Sequence, residues 1–460
     1  MEKTVRQIAL EILLKSDIGN ERAHDILNKT IRNHDLAEND RSFLTDLVYG
    51  TIRWRGSLDY IIAQFIPPKK ARKLESEILM ILHLGLYQLF FMDKVPDYAA
   101  VNESVEIAKK YGNVGASGLV NAVLRRAIRE KNIKYPDLKN PIKHISAKYS
   151  HPEWMVKRWL ERFGVEETIN LCLANNARPS LFIRANNLKA TRTQLLESLE
   201  KDGISASISN NIPESIEITE LNKPIDHLQS YKQGWFQVQD ESSMLIALML
   251  DPKPEETIID ACSAPGGKST HIAEIMQNKG KILSVDIDAQ RLDLLKENCV
   301  RLGISIVETI TADARNIGEY ISEKADRILV DAPCSGLGVL RRRVEAKWRR
   351  TQEQILEFSE LQYEILESVS NHVKPNGILV YCTCTIEPEE NQQVVERFLK
   401  SYTEFQLESV LPFLPIGLKD KGIVSDEGFL QIYQHRQNMD GFFSVRMRKT
   451  SQHIYTQLRS

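Results

Sequence analysis

Cysteine is scarce in this sequence. Six cysteines, at 172, 262, 299, 334, 382 and 384, are spread over 460 residues, too few for a disulfide framework in a chain of that length. No paired Cys/His cluster at zinc spacing accompanies Cys382-Thr-Cys384, so no metal is expected. Charge of one sign is also lacking: 60 basic side chains face 62 acidic ones, and the net charge of −2 selects no partner. The longest apolar run, Ile78–Met92, falls short of the ~20 residues a membrane span needs and contains His83 and Gln88. The start, Met1-Glu-Lys-Thr-Val-Arg-Gln-Ile, has no apolar signal core and no cleavage site. Repeats and low-complexity segments are absent. What remains is the expectation of a cytoplasmic, globular chain of ordinary composition, long enough for two or three domains.

The charge that is present is uneven. Residues 101–150 carry ten Lys/Arg against four Asp/Glu, and Arg341–Arg350 holds six basic residues with one Glu. Such segments fit local contacts with a polyanion. In the second, Trp348 is expected as a core residue or a base-stacking platform.

Residues 1–130 read as helices. Val5, Ile8, Ala9, Ile12 and Leu13 form one stripe at helical spacing. Asp40 is an expected N-cap for a helix burying Phe43, Leu44, Leu47 and Val48. Pro67-Pro68 breaks the next helix, Ile78–Met92 is a central buried one, Pro96 starts another, and Gly118–Arg129 ends the set with Arg125, Arg126 and Arg129 together. Residues 131–148 read as a polar linker with Pro136 and Pro141. A helix from His151 with Trp154 and Trp159 then opens a small α+β segment, 145–234. From about 235 to 450, strands such as Ile258–Ala261, Lys281–Asp286, Ile306–Ile310, Arg327–Asp331 and Gly377–Tyr381 alternate with helices, the pattern of a parallel, doubly wound Rossmann-like sheet. Two late runs, Phe429–Tyr433 and Phe442–Met447, are expected as an antiparallel hairpin.

The chemistry gathers at strand ends, where open α/β sheets bind ligands. Asp260-Ala-Cys262-Ser263-Ala264-Pro265-Gly266-Gly267-Lys268 leaves one strand and opens a helix whose N-terminus can face an anion or polar ligand. It is neither GxGxxG nor a P-loop. The next strand ends on Asp286, placed for ribose hydroxyls, and the third on Asp313, placed for an adenine amino group. Three acids on successive strand ends beside a Gly-Gly loop point to a nucleoside ligand. Asp331-Ala-Pro333-Cys334 and Cys382-Thr-Cys384 end two further strands. Two thiols beside a carboxylate suggest covalent chemistry on an electrophilic ring, hence an enzyme. The strand alternation puts Cys382 and Cys384 on one side, so geometry leaves both open as nucleophile.

These residues also carry resemblances. Asn39-Asp-Arg-Ser-Phe, Val48-Tyr-Gly-Thr-Ile, Leu84-Gly-Leu-Tyr-Gln-Leu, Val101-Asn-Glu-Ser-Val and Leu119-Val-Asn-Ala-Val-Leu-Arg-Arg resemble the NusB family, which implies an all-α RNA-docking module at 1–135. Asp-Ala-Cys-Ser-Ala-Pro-Gly-Gly-Lys, Asp-Ala-Pro-Cys-Ser-Gly-Leu-Gly, Cys-Thr-Cys-Thr with Pro388-Glu-Glu-Asn391, and Asp440-Gly-Phe-Phe are similar to the S-adenosylmethionine-dependent RNA cytosine-5 methyltransferases of the NOL1/NOP2/Sun group. The whole chain resembles the Sun (RsmB) type, bacterial 16S rRNA methyltransferases acting at cytosine 967. Two departures are Ser263, where alanine is common, and Cys382, where a small residue is usual. The resemblance implies S-adenosyl-L-methionine as cofactor, held by 262–268, Asp286, Asp313 and Asp331. It makes Cys384 the nucleophile at carbon 6 of cytosine, Asp331 the partner of the ring edge near N3, and Cys334 the thiol that assists proton loss and release. It implies a monomer acting on 16S rRNA in the unassembled or partly assembled small subunit, with no membrane involved. A tRNA substrate is the alternative within the family, and a non-catalytic antitermination-type RNA-binding factor the alternative outside it. An amino-group methyltransferase would want Asp/Asn-Pro-Pro-Tyr/Phe where this chain has Asp-Ala-Pro-Cys.

Overall fold

The computed structural model of the protein describes residues 3–450, except 20, 35, 68, 70–73 and 113. Two compact units divide it: residues 1–177 with 340–349, and residues 178–339 with 350–460.

The first unit is helical. Its centre is the helix Ser76–Phe91, whose Ile78, Met80, Ile81, Leu82, Leu84, Leu86 and Tyr87 are buried. The two polar residues of that run have partners: His83 meets Asp59 at 2.7 Å, and Gln88 donates to Leu84 O and accepts from Arg6 at 2.7 Å. Gly50 lets the helix Glu38–Arg53 approach, since a Cβ there would lie 1.9 Å from the Tyr87 ring. No helix of the described residues is long and apolar enough to cross a membrane. Asp40 is not an N-cap. Ala37 holds that position, and Asp40 sits with Glu38 in the first turn, where the helix dipole favours acids. The helix Arg55–Phe65 stops before Pro67, while Pro68 lies outside the described residues. The expected linker 131–148 contains a helix, Pro141–Tyr149, because Asn140 caps it by accepting from Lys143 N and proline is suited to a first helical position.

The basic run 341–350 also departs from its expectation. Arg341 and Lys347 are buried, so the run is not a phosphate-facing strip. Lys347 Nζ donates to Arg53 O at 3.1 Å, Ser150 O at 3.3 Å and Asn176 Oδ1 at 2.5 Å. Trp348 Nε1 donates to Ile52 O at 2.7 Å, and its ring occupies the space a Cβ on Gly56 would need. Arg349 donates to the carbonyls of Ser16 and Glu21. Only Arg343 in this stretch is exposed among the basic residues.

The second unit holds two sheets. The smaller has the order β2-β3-β1-β4, with β1 Leu181–Ala185, β2 Ser205–Ile208, β3 Ser215–Glu220 and β4 Phe236–Val238, all antiparallel. The larger runs β10-β12-β9-β8-β5-β6-β7. Its parallel part is β5 Thr257–Asp260, β6 Lys281–Asp286, β7 Val307–Thr311, β8 Ala325–Asp331 and β9 Val373–Thr383. The expected hairpin forms between β11 Leu430–Ile432 and β12 Phe442–Lys449, and β12 also pairs antiparallel with β9 and with β10 Phe405–Glu408. Alternate residues face opposite cores: Ile258, Ile282, Leu329, Val380 and Cys382 one, Ile259, Leu283, Ile328, Leu379 and Tyr381 the other. The chain builds β5, β6 and β7 outward, then returns to β8 on the other side of β5. That reversal opens a crevice at the carboxyl ends of β5 and β8, where Asp260 and Asp331 lie.

Candidate active site

The loop after β5 is shaped by one obligatory glycine. Gly266 has φ +96°, and a Cβ there would meet Leu295 Cδ1 at 2.2 Å. Gly267 starts the helix Gly267–Ile275, and the nearest atom to a Cβ on it would be 3.9 Å away, so protein packing does not demand glycine there. That space fits the close approach of a ligand. Ser263 ties the loop to β6 by donating from N and Oγ to Val285 O, at 2.9 and 3.1 Å. Asp286 accepts from Ala264 N at 2.9 Å and from Asp288 N at 3.0 Å, leaving further lone pairs on each oxygen. Asp313 caps the turn after β7 and is paired with Arg315 at 2.7 Å; that guanidinium holds its carboxyl below the usual range.

Asp260 was among the strand-end acids, but the sequence offered it no role. It is fully buried, accepts from Ser269 Oγ at 2.6 Å, and its Oδ1 has no partner among the described residues. Burial, then Asp331 and Asp286, pushes its pKa up to about 7 against the bond from Ser269. A second residue the sequence did not signal is Arg184 on β1, fully buried, which donates to Gly267 O at 2.8 Å and pairs with Glu274 at 2.7 Å. It fixes the helix start from a partner 83 residues away.

At the ends of β8 and β9 the two thiols meet. Cys334 Sγ and Cys384 Sγ are 3.2 Å apart. Asp331 Oδ2 accepts from Lys268 Nζ at 2.5 Å, and Asp331 Oδ1 from Cys382 Sγ at 3.4 Å. Burial opposes the Lys268 charge, but Asp331, Cys382 and Cys384 outweigh it and hold the pKa above the usual value. Cys382 and Cys384 pack on the same face, as the alternation predicts. They differ in setting. Cys382 is fully buried, and burial with Asp331 raises its pKa well above that of an ordinary thiol. Cys262 is raised likewise, by burial and then by Asp260 and Asp331. Cys384 is only partly buried. Gly338 brings three loops together: its N donates to Cys384 O at 3.0 Å, its O accepts from Gly441 N at 2.8 Å, and a Cβ would strike Gly441 O at 2.2 Å. Of the expected residues, Cys334 meets Cys384 and Asp331 meets Lys268, whose charge is favoured by Cys384 as well, while Asp286 holds Ala264 of the Gly-rich loop and Asp313 is occupied by Arg315.

Comparison with known proteins decides the family. Residues 247–448 match the 16S rRNA methyltransferase RsmB/F description, residues 3–129 the NusB family, and residues 151–225 the ferredoxin-like domain of RsmF/B-like methyltransferases. A probable ribosomal RNA small subunit methyltransferase B of Bacillus subtilis strain 168 is 39% identical over 98% of this chain and 100% of its own. The chain belongs to the 16S rRNA methyltransferase RsmB/F family. The ribosomal RNA small subunit methyltransferase B of Proteus mirabilis is 36% identical over 83% of this chain and 88% of its own. Among solved structures, PH0851 superposes with a TM-score of 0.81 at 30% identity, covering 97% of this chain and 98% of that one. NSun6 from Pyrococcus horikoshii, solved with SFG, gives 0.58 at 25% identity, covering 65% and 98%. RsmB/F enzymes are S-adenosylmethionine-dependent methyltransferases. The residues present fit that cofactor: a helix start with an open glycine, an acid with spare acceptor capacity on β6, and a buried carboxylate oxygen on β5 still lacking a donor.

Proposed function

We propose that this RsmB/F chain forms 5-methylcytosine in 16S rRNA, at the base equivalent to cytosine 967, through a covalent thiol adduct. The single observation that carries the reading is the 3.2 Å separation of Cys334 and Cys384, beside the Lys268–Asp331 pair. S-adenosylmethionine supplies an electrophilic methyl group when bound by 262–268 and Asp286, with Asp260 and Asp331 at the crevice; Asp313 joins them once its pair with Arg315 opens. Carbon 5 of cytosine is too weakly nucleophilic to take that methyl unaided. Cys384, as thiolate, adds to carbon 6 and turns the ring into an enamine-like nucleophile. The Lys268 ammonium favours that thiolate, since opposite charges nearby favour ionised forms. Asp331 meets the ring edge near N3, with Lys268 on its other oxygen countering the negative charge that builds. After methylation Cys334, as thiolate, takes the carbon 5 proton; the C–H pair forms the C5–C6 double bond and Cys384 leaves. Cys382, buried and bonded to Asp331, is a supporting residue.

RNA docking by the helical unit is supported by a cleft of about 790 Å³ where Arg125, Arg129, Tyr98 and Asn121 stand beside Asp97 and a Lys109–Glu106 pair. The target base must leave its stack for a thiol to reach it, so unpaired RNA should react faster than duplex.

The test is the asymmetry of two variants. Cys384→Ala should give no adduct and no product, whereas Cys334→Ala should methylate once and stall as an RNA–protein adduct that survives denaturing electrophoresis. Cys382→Ala should remain active. Free methylated RNA at the normal rate from Cys334→Ala would remove its release role.

A further inference from the structure

The motif Pro388-Glu-Glu-Asn391 has been given no role. Its last two residues bond the chain that flanks the two thiols. Glu390 is fully buried. Its carboxylate accepts from Ser335 N at 2.7 Å, from Ser335 Oγ, and from Gln362 Nε2 at 3.1 Å. Gln362 Nε2 also donates to Pro333 O at 2.9 Å. Ser335, immediately after Cys334, is therefore held by Glu390 directly, and Pro333, immediately before it, through Gln362. Asn391 is buried as well and stands at the N-cap position of the helix Gln392–Ser401, yet its side chain makes no capping bond. Asparagine is among the preferred capping residues, so the lost cap needs a cause. The side chain instead accepts from Thr383 Oγ1 at 2.6 Å and donates to Thr385 O at 3.2 Å, gripping the residues on either side of Cys384. The two grips are joined, because Thr385 Oγ1 and Ser335 Oγ are 2.8 Å apart. With Ser335 donating to Glu390, Thr385 donates to Ser335, a chain directed at the buried carboxylate.

We propose that Glu390 and Asn391 are positioning residues, one for each thiol: Glu390 orients Cys334 for product release and Asn391 orients Cys384 for attack. A buried carboxylate is costly unless its oxygens are bonded. Holding that cost against two adjacent loops gives the cysteines one common reference, so their separation is set from a single point of the chain. Burial pushes Glu390 up to about 7 while its Ser335 and Gln362 bonds oppose the shift, consistent with a carboxylate retained for its bonds.

This inference rests on the thiol roles proposed above. The test uses the full chain, unmodified 16S rRNA transcript and labelled S-adenosylmethionine in single turnovers, reading methyl incorporation and denaturation-resistant adduct separately. Glu390→Gln removes an acceptor from Ser335 and should slow release about tenfold or more while incorporation falls far less, so that adduct accumulates. Asn391→Asp keeps the acceptor for Thr383 but loses the donor to Thr385 O. It should slow incorporation about tenfold or more and leave no adduct behind. Ser335→Ala, which keeps the backbone bond to Glu390, should show the Glu390→Gln pattern more weakly and decides the matter if Glu390→Gln does not fold. Equal slowing of both steps in Glu390→Gln and Asn391→Asp, or normal rates in both, overturns the proposal. Cys334→Ala is run alongside: if it accumulates adduct and Glu390→Gln does not, positioning alone fails. If Cys334→Ala accumulates none, the thiol roles themselves fail.

Discussion

Lys268, mostly withdrawn from solvent with its side chain 11% exposed, and Lys347, fully buried, lie one in each compact unit and are held in opposite ways. Lys268 meets the Asp331 carboxylate at 2.5 Å and stays charged, its pKa raised above the usual value in spite of burial. Lys347 is surrounded by neutral oxygens from Arg53, Ser150 and Asn176, and burial brings its pKa down to about 7, with Cys172 opposing and Arg53 adding to the shift. Hydrogen bonds donated to carbonyl oxygens satisfy the three N–H groups of an ammonium but supply no countercharge. A buried lysine with a carboxylate is thus a stable charge available for chemistry. One without it is a joint between helix ends whose charge is marginal at neutral pH.

Four experiments bear on that contrast. Lys268→Ala should carry the largest effect, slowing methylation about 100- to 1,000-fold in single turnovers while far-ultraviolet circular dichroism stays unchanged. Retained activity would place the lysine in the same structural class as Lys347. Lys347→Met should leave methylation within about twofold but change the pH dependence of stability. Between about 7 and the unfolded value of 10.5, the unfolded chain holds a proton on this lysine that the folded chain has lost. Stability of the wild type should therefore rise with pH, by about 2–3 kcal/mol from pH 7 to pH 9, and urea titrations of Lys347→Met should lack that rise. Parallel pH profiles in the two proteins would break the comparison. Asp286→Ala should weaken S-adenosylmethionine binding by about 1.5–3 kcal/mol, read by titration calorimetry, whereas Lys347→Met should bind it normally. The smallest effect separates buried from exposed charge within one run: Arg343→Ala should lower the log–log salt slope of RNA binding by about 0.7, one phosphate contact, and Lys347→Met should not alter it.

The basic run shows where reading by composition stops. Six positive residues within ten look like a phosphate strip, and the run directly follows the Cys334 loop. Its fate turns on Ile52, Arg53, Ser150 and Asn176, between 171 and 296 positions away, whose carbonyls and amide receive Lys347 and Trp348. No local pattern records such acceptors. Asp40 failed for a smaller reason: an acid at the start of a helix suits both the N-cap and the first turn, and only the backbone angles of Ala37 distinguish them. Pro141 reads as a breaker until Asn140 beside it is recognised as a cap.

The sequence by itself determined the helical front, the alternation of strands and helices behind it, the strand ends that carry Asp260, Asp286, Asp331 and the cysteines, and the common face of Cys382 and Cys384. Each depends on periodicity or on residues within a few positions of one another. Tertiary structure alone decided which partners those residues have. It pairs Lys268 with Asp331 across 63 positions and Cys334 with Cys384 across 50, buries Lys347 away from phosphate, and turns Asn391 from its helix cap to the flanks of Cys384. Those choices follow from the desolvation and hydrogen-bond demands of buried polar groups, which are met by whatever the fold brings near and not by neighbours in the chain.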